Sequence, residues 1–515
     1  MFNEELIKHG LKECCEYCIA GGDQALLSSQ ERPEDDPIQG VKDLKALTEG
    51  ARQVLYIGIT CGLSAPYVGG QVEYAMQQDN FVTVLMGFNP SHMARDQPVE
   101  KWQGKTFKQL CETLAAISPT PGHCQSQPKN AKHILLNPVI GPETITGSTR
   151  MKSGTATIIL LQSILIGALS KALSTQTTED EVKSKPEQSQ SGDDDYNHVW
   201  NLLSLFDSTI RNTYRTNVCL EMAKGMRAIS NALLNDGRVI YVGNQVFSGI
   251  STLIDSSEMK PTFGTENERY RTYLPEGWSF LRTRSGDISE RGSVYNIDLK
   301  NIEWNELKNN DVVVFVNNEK SDVWALAKKS KAQLIHVHVG ADTVQLQQSE
   351  ASAKLLLKLE KSDIARTGIN NKLTTLLLES MEVLSAKLLL NGLSTGGHVL
   401  SGHVYSNRMI NVRAANDKLF YRAVFLVQDL GQVSFTQAQE CLLQAAYGDA
   451  VWKDYITSPV STHVQNIAKL NKVVPIAIGL ACFNRLNNPK SVEDIQHILA
   501  NEPCLRKVLK KFLSL

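Results

Sequence analysis

The hydrophobic positions fall into short apolar runs, several ended by glycine, separated by longer stretches with helical spacing. Gln53-Val-Leu-Tyr-Ile-Gly58, Phe81-Val-Thr-Val-Leu-Met-Gly-Phe88 and His133-Ile-Leu-Leu-Asn-Pro-Val-Ile140 are nearly continuous apolar runs. That pattern predicts strands covered on both faces of a parallel sheet. Gly237-Arg-Val-Ile-Tyr-Val-Gly243, Asn310-Asp-Val-Val-Val-Phe-Val316 and Ala332-Gln-Leu-Ile-His-Val-His-Val339 repeat it. Between and after these runs, residues 67–78, 105–116, 157–169, 250–259, 323–330 and 371–390 read as helices. Strand and helix alternate twice over, so an α/β fold with a weak internal duplication is expected. From about Asn407 to Leu515 the pattern is wholly helical.

The remaining stretches are less patterned. Glu4 to Lys12 reads as a helix and Cys18-Ile-Ala-Gly-Gly22 as a strand end. Residues 118–132 read as a loop, and 262 to about 301 as irregular. Residues 174–195 are polar, acidic and poor in apolar side chains, which predicts a disordered linker. The expected boundaries are 1–173 for a first α/β domain, 174–195 for the linker, 196–405 for a second α/β domain and 406–515 for a helical lid.

One stretch carries candidate chemistry: Gly141-Pro-Glu-Thr-Ile-Thr-Gly-Ser-Thr-Arg-Met-Lys-Ser-Gly-Thr-Ala156. It joins an apolar run to an apolar helix through glycines, hydroxyls and two cations. A strand-to-helix turn of this kind can hold an oxyanion on the amides at the helix start, with Ser148 and Thr149 capping or donating. On spacing alone, a capped helix start with no ligand stands as the alternative. Thr60-Cys61-Gly62, in Ile59-Thr-Cys-Gly-Leu-Ser-Ala-Pro66, lies at the carboxyl end of a predicted strand, where α/β folds place ligands.

Composition narrows the classes. With 53 basic and 54 acidic residues the net charge is −1, which gives no argument for nucleic acid or an anionic membrane. No uninterrupted apolar run reaches the roughly 18 residues of a spanning helix. Ten cysteines are scattered, with Cys14-Cys15-Glu-Tyr-Cys18 the one cluster. No second Cys/His pair lies at zinc-finger distance, so reduced thiols are expected, with no metal and no cofactor. A protein of the cytoplasm and nucleus is expected.

The stretch 141–156, together with Ile19-Ala-Gly-Gly-Asp23, Glu34-Asp35 and Gly58 to Pro66, resembles the sugar isomerase (SIS) domain signature. Gly87-Phe-Asn-Pro90, Ser394-Thr-Gly-Gly-His-Val399 and Asn416-Asp-Lys-Leu-Phe-Tyr-Arg422 narrow the resemblance to the glucokinase regulatory protein family. The bacterial N-acetylmuramic acid 6-phosphate etherases are related. The resemblance is strong in 19–160 and 394–425 and thin in 262–392. It implies two SIS domains, each a parallel sheet flanked by helices (flavodoxin-like), and a C-terminal all-helical lid. It also implies a sugar-phosphate site between the SIS domains, closed by the lid. The ligands so implied are fructose 6-phosphate and fructose 1-phosphate, and the partner is glucokinase, inhibited by direct contact with no catalytic residue.

Carried over, Glu34 accepts from sugar hydroxyls, Thr60, Cys61 and Gly62 hold phosphate, Glu258 reaches the sugar and Lys418 pairs with phosphate. Arg422 and Ser148 are supporting residues. Three departures accompany the resemblance. The family's phosphate loop after the first strand is expected upstream of residue 1. The glucokinase-contacting segment falls at Thr367-Gly368-Ile369, which is small or polar apart from Ile369. The etherase's second acid also falls upstream, so etherase turnover is the less favoured alternative.

Overall fold

A computed structural model describes residues 1–28, 32–118, 131–181, 192–244, 246–281, 283–317, 321–341 and 351–514. The described chain divides into two compact units that interleave along the sequence. One comprises Tyr17–Gly154, Ser257–Glu266 and Ser401–Leu515; the other comprises Met1–Glu16, Thr155–Ser256 and Asn267–Leu400. The expected boundaries were contiguous blocks, whereas these units are not.

The first of these units holds a three-stranded parallel sheet of β1 (Val54–Ile59), β2 (Phe81–Met86) and β3 (His133–Leu136), in that order. Val54 pairs with Phe81 and Thr83 with His133. Helices Pro37–Leu47, Pro66–Met76 and Phe107–Ile117 pack on it around Leu44, Tyr56, Leu63, Val72, Trp102, Phe107 and Leu114. Asp36 caps the first of them by accepting from the Ile38 and Gln39 amides, and Thr106 with Gln109 forms a capping box on the third. Cys18–Gly22 is not a strand end. Gly21 and Gly22 take left-handed φ of 87° and 67°, which turns the chain into the short 3₁₀ helix Gly22–Leu26. The C-terminal region opens on a small hairpin, Val404–Tyr405 against Arg408–Met409, so its helical pattern begins later than Asn407. Helices Asp417–Gly431, Phe435–Tyr447, Val473–Arg485, Val492–Ala500 and Leu505–Leu513 follow, with Phe420, Val427, Leu442, Ile478 and Phe512 buried.

The other unit holds a five-stranded parallel sheet: β4 (Val239–Gly243), β5 (Tyr270–Tyr273), β6 (Val312–Val316), β7 (Gln333–Gly340) and β8 (Ala353–Lys358). The order β5-β4-β6-β7-β8 is the 2-1-3-4-5 arrangement of flavodoxin-like folds. Strand β5 corrects the reading of 262–301 as irregular, and β8 lies in a stretch to which the sequence assigned no element. The helix predicted over 371–390 runs on to Leu400, so Ser394–Val399 lies in the interior of Thr374–Leu400. A Cβ at Gly396 would lie 2.4 Å from Met226 Sδ, and one at Gly397 2.4 Å from Ile229 Cγ2. These glycines therefore let Thr374–Leu400 approach the helix Thr216–Leu234 closely. Ser394 Oγ and Asn391 Nδ2 donate to the buried Asp255, which also accepts from Tyr241 Oη.

The stretch expected as a linker is helical at both ends, within Lys152–Glu181 and Gly192–Thr213, and 182–191 lies outside the described residues, as does 119–130 of the predicted loop. Lys152–Ser174 is long and apolar enough to cross a membrane by length and composition, at 23 residues with mean hydropathy 1.8. Sequence expectation rested on uninterrupted runs, and Gln162 and Ser163 interrupt this one while its average stays apolar enough for a spanning helix. Ile166, Leu169 and Leu173 on this helix are buried core residues.

Glu382, on Thr374–Leu400, supplies a titration prediction. Burial pushes its pKa up to about 7 from the usual 4.5, with Glu379 adding like charge and a bond from Asn317 Nδ2 opposing. The folded state thus holds this proton after the unfolded chain has released it. Stability is full below the unfolded value and is lost as pH rises through the folded one. Glu382→Gln is expected to raise the melting midpoint at pH 8, by roughly 1–3 kcal/mol of stability, and to change little at pH 5. Equal shifts at both pH values would refute this.

Candidate functional site

A cavity of about 1050 Å³ opens in the three-stranded unit at the carboxyl end of β1. Its walls come from the turn Thr60–Ala65, the short 3₁₀ helix Arg32–Asp35, the loop Gly141–Gly147, Glu258, and the exposed face of Asp417–Gly431. Seven residues named from sequence line it: Glu34, Thr60, Cys61, Gly62, Glu258, Lys418 and Arg422. Ser148 does not line it. Its Oγ is buried with no hydrogen-bond partner among the described residues.

At the Thr60 turn, the Thr60 amide donates to Met86 O at 3.0 Å and so belongs to the sheet. Its Oγ1 accepts from the Ser64 and Ala65 amides at 3.2 and 3.3 Å. That caps the start of Pro66–Met76 and leaves the Thr60 hydroxyl proton as the donor a ligand can use.

Glu34 and Lys418 face each other rather than empty space. Lys418 Nζ donates to Glu34 Oε2 at 3.0 Å, both side chains being about a third exposed. Beside them runs a second ionic cluster that the sequence did not announce. Arg95, 8% exposed, donates from Nη1 to Asp35 Oδ1 at 3.1 Å and places Nη2 3.7 Å from Asp417 Oδ2. The Asp417 amide donates to Asp35 Oδ2 at 3.1 Å. Burial and then the like charge of Asp35 raise the Asp417 pKa, against the pull of Arg95. Arg422 Nη1 donates to Gly147 O at 3.2 Å. Gly147 has a φ of 81°, and a Cβ there would lie 2.4 Å from Arg422 Cζ.

The turn 141–156 does hold an oxyanion, and the anion is its own. Glu143 accepts from the Lys152 and Ser153 amides at 2.8 Å each and from Ser153 Oγ at 2.6 Å. A carboxylate at a helix start is favoured by the unpaired amides and the helix dipole. Glu143 thus takes the capping role that sequence reading gave to Ser148 and Thr149. Lys152 Nζ is turned onto the carbonyls of Ile140 and Pro142, at 2.7 and 3.0 Å. Cys18, also in the cavity wall, accepts from Gln71 Nε2 at 3.4 Å and lies 3.1 Å from Tyr67 Oη, which donates to Asp43. Arg95, Glu143 and Cys18 were missed in the sequence. Only Glu143 left a signal there, as the acid preceding the helix start in its own turn.

The segment 367–369 lies in the other unit. Thr367 and Ile369 are buried and Gly368 is exposed. Thr367 Oγ1 donates to Ile364 O, and Thr367 O accepts from Asn201 Nδ2. Among the described residues no three His, Cys, Asp or Glu side chains gather as a metal cluster.

Three family profiles match the chain in order. They are the N-terminal SIS domain of glucokinase regulatory protein at 1–76, its second SIS domain at 219–401 and its C-terminal lid domain at 406–509. The chain is 31% identical to the glucokinase regulatory protein of Rattus norvegicus over 93% of its own length and 73% of the relative's. It belongs to the glucokinase regulatory protein family. The Homo sapiens protein of that name is 30% identical over 100% of this chain and 78% of its own. The N-acetylmuramic acid 6-phosphate etherase of Pasteurella multocida is 32% identical over 44% of this chain and 72% of its own. The fold is accordingly two SIS domains, each a parallel sheet flanked by helices, with a C-terminal helical lid domain.

Proposed function

We propose that this protein is a sugar-phosphate-sensing regulator. It binds fructose 6-phosphate or fructose 1-phosphate in the cavity and inhibits glucokinase by direct binding, in the cytoplasm and nucleus. The observation that supports it is the convergence of Glu34, Thr60, Lys418 and Arg422 on one cavity of about 1050 Å³. A carboxylate suits a polyol, and hydroxyls with one or two cations suit a phosphate. The membership of the chain in the family supports the partner. Ligand binding acts by shifting the protein toward the arrangement that holds the ligand better, by no more than the difference in affinity.

Pull-down of glucokinase with each fructose phosphate present tests partner and effector together. Glucokinase is expected to be retained, with retention changed by at least one of the two sugars. A melting midpoint unmoved by millimolar fructose 1-phosphate would remove the ligand assignment, because a ligand confined to the folded state must raise it. The second reading, an etherase, is supported by the 32% identity to the Pasteurella multocida enzyme. Against it, Glu34 is engaged by Lys418, and Glu143 by the Lys152 and Ser153 amides, so the two acids are not paired with each other as acid and base. Steady lactate release from muramic acid 6-phosphate would overturn the regulator reading.

A further inference from the structure

Two residues assigned to opposite ends of a ligand are bonded to each other. Lys418 Nζ lies 3.0 Å from Glu34 Oε2, within the wall of the cavity. The next residue on each segment is tied separately. Asp35 and Asp417 share Arg95, and the Asp417 amide bonds to Asp35. The pair can therefore open by side-chain movement alone while Arg95 keeps the two segments in place.

We infer that the Glu34–Lys418 pair is a specificity gate, opened at useful affinity only by a molecule that carries both an anion and hydroxyl groups. The inference rests on the sugar-phosphate reading of this cavity and adds what the site rejects. A phosphate that takes Lys418 strips Glu34 of its counter-charge and sits beside it as a second anion, which is unfavourable. A plain sugar can bond to Glu34 but offers Lys418 nothing in exchange for the carboxylate. A phosphorylated polyol replaces both partners at once. Its phosphate takes the ammonium and its hydroxyls donate to the carboxylate, so neither charge is left uncompensated. The ion pair thereby discriminates against free inorganic phosphate and unphosphorylated sugar.

The test is calorimetric titration of the full chain with inorganic phosphate, fructose and fructose 1-phosphate, for the natural protein and Glu34→Gln. The natural protein is expected to bind fructose 1-phosphate at least tenfold more tightly than either phosphate or fructose. Glu34→Gln is expected to bind inorganic phosphate at least tenfold more tightly than the natural protein does, because Lys418 is released and the repelling charge is gone. If the natural protein binds fructose 1-phosphate but Glu34→Gln leaves phosphate affinity within twofold, the gate is discarded and the function stands. If Glu34→Gln gains phosphate but the natural protein takes no fructose phosphate, the gate stands and the ligand assignment falls. If neither occurs, both fall. Melting curves check the fold of the variant, and should Glu34→Gln fail to fold, Glu34→Ala, which also removes the charge, is titrated and judged by the same criteria.

Discussion

Lys418→Ala is expected to weaken fructose 1-phosphate binding by about 10- to 150-fold, the equivalent of losing one charge-assisted bond of roughly 1.5–3 kcal/mol. Two features of the site set that range. The lysine is about a third exposed, so water recovers part of the lost interaction. Arg422 lines the same cavity and keeps some positive charge there. The fold should feel the change little. A pair between partly exposed side chains contributes about 0–1 kcal/mol, so the melting midpoint without ligand should hardly move. The split between the two readouts is the test. A dissociation constant unchanged within error would remove Lys418 from the ligand site. A large fall in the ligand-free midpoint would make it a structural residue instead.

Much of the fold was legible because buried parallel strands must be apolar throughout. The runs that became β2, β4, β6 and β7 are mostly buried and had no polar face to show, and the half-buried β1 and β3 were largely apolar too. The two missed strands, β5 and β8, are the edges of the five-stranded sheet. An edge strand has a neighbour on one side only, and β8 accordingly alternates buried and less buried positions along Ala353–Lys358. Tyr-Arg-Thr-Tyr in β5 is short and carries a charge, so no run stood out. The helix read over 371–390 was ended too early, before Gly396 and Gly397. Glycine past a helix end and glycine at a helix crossing look alike in sequence, and only the Met226 and Ile229 side chains opposite reveal which is present.

The site was legible by resemblance more than by pattern. Seven of the named residues do line one cavity. What could not be read was their pairing with one another. Nothing in the spacing says that Lys418 closes on Glu34, or that Glu143 occupies the helix start offered as an anion site. Arg95 is the clearest omission. Its role depends on Asp35 and Asp417, which are far away in sequence in both directions, and a lone arginine after a strand has no periodicity to mark it.

Gly40→Val is expected to cost roughly 2–4 kcal/mol of stability, because two helices touch through their backbones at this point. A Cβ at Gly40 would lie 2.2 Å from Tyr67 O, and one at Gly70 would lie 2.4 Å from Pro37 O. Pro37–Leu47 and Pro66–Met76 thus each place a glycine against a carbonyl of the other. No flexible side chain can yield there, so the helices must separate. The separation would reach the cavity. Pro37 directly follows the segment that carries Glu34, and Tyr67 directly follows the Thr60 turn, so the two walls would move apart with the helices. Ligand affinity should therefore fall along with stability, unlike in Lys418→Ala. A midpoint loss on the order of 5–15 °C is expected from the usual scaling for a unit of this size. Gly50→Ala is the control. Gly50 has a left-handed φ of 74° but nothing within 4 Å of a Cβ, so only backbone strain of about 1 kcal/mol should appear. Equal losses at positions 40 and 50 would mean that the close contact between the two helices does not govern this region.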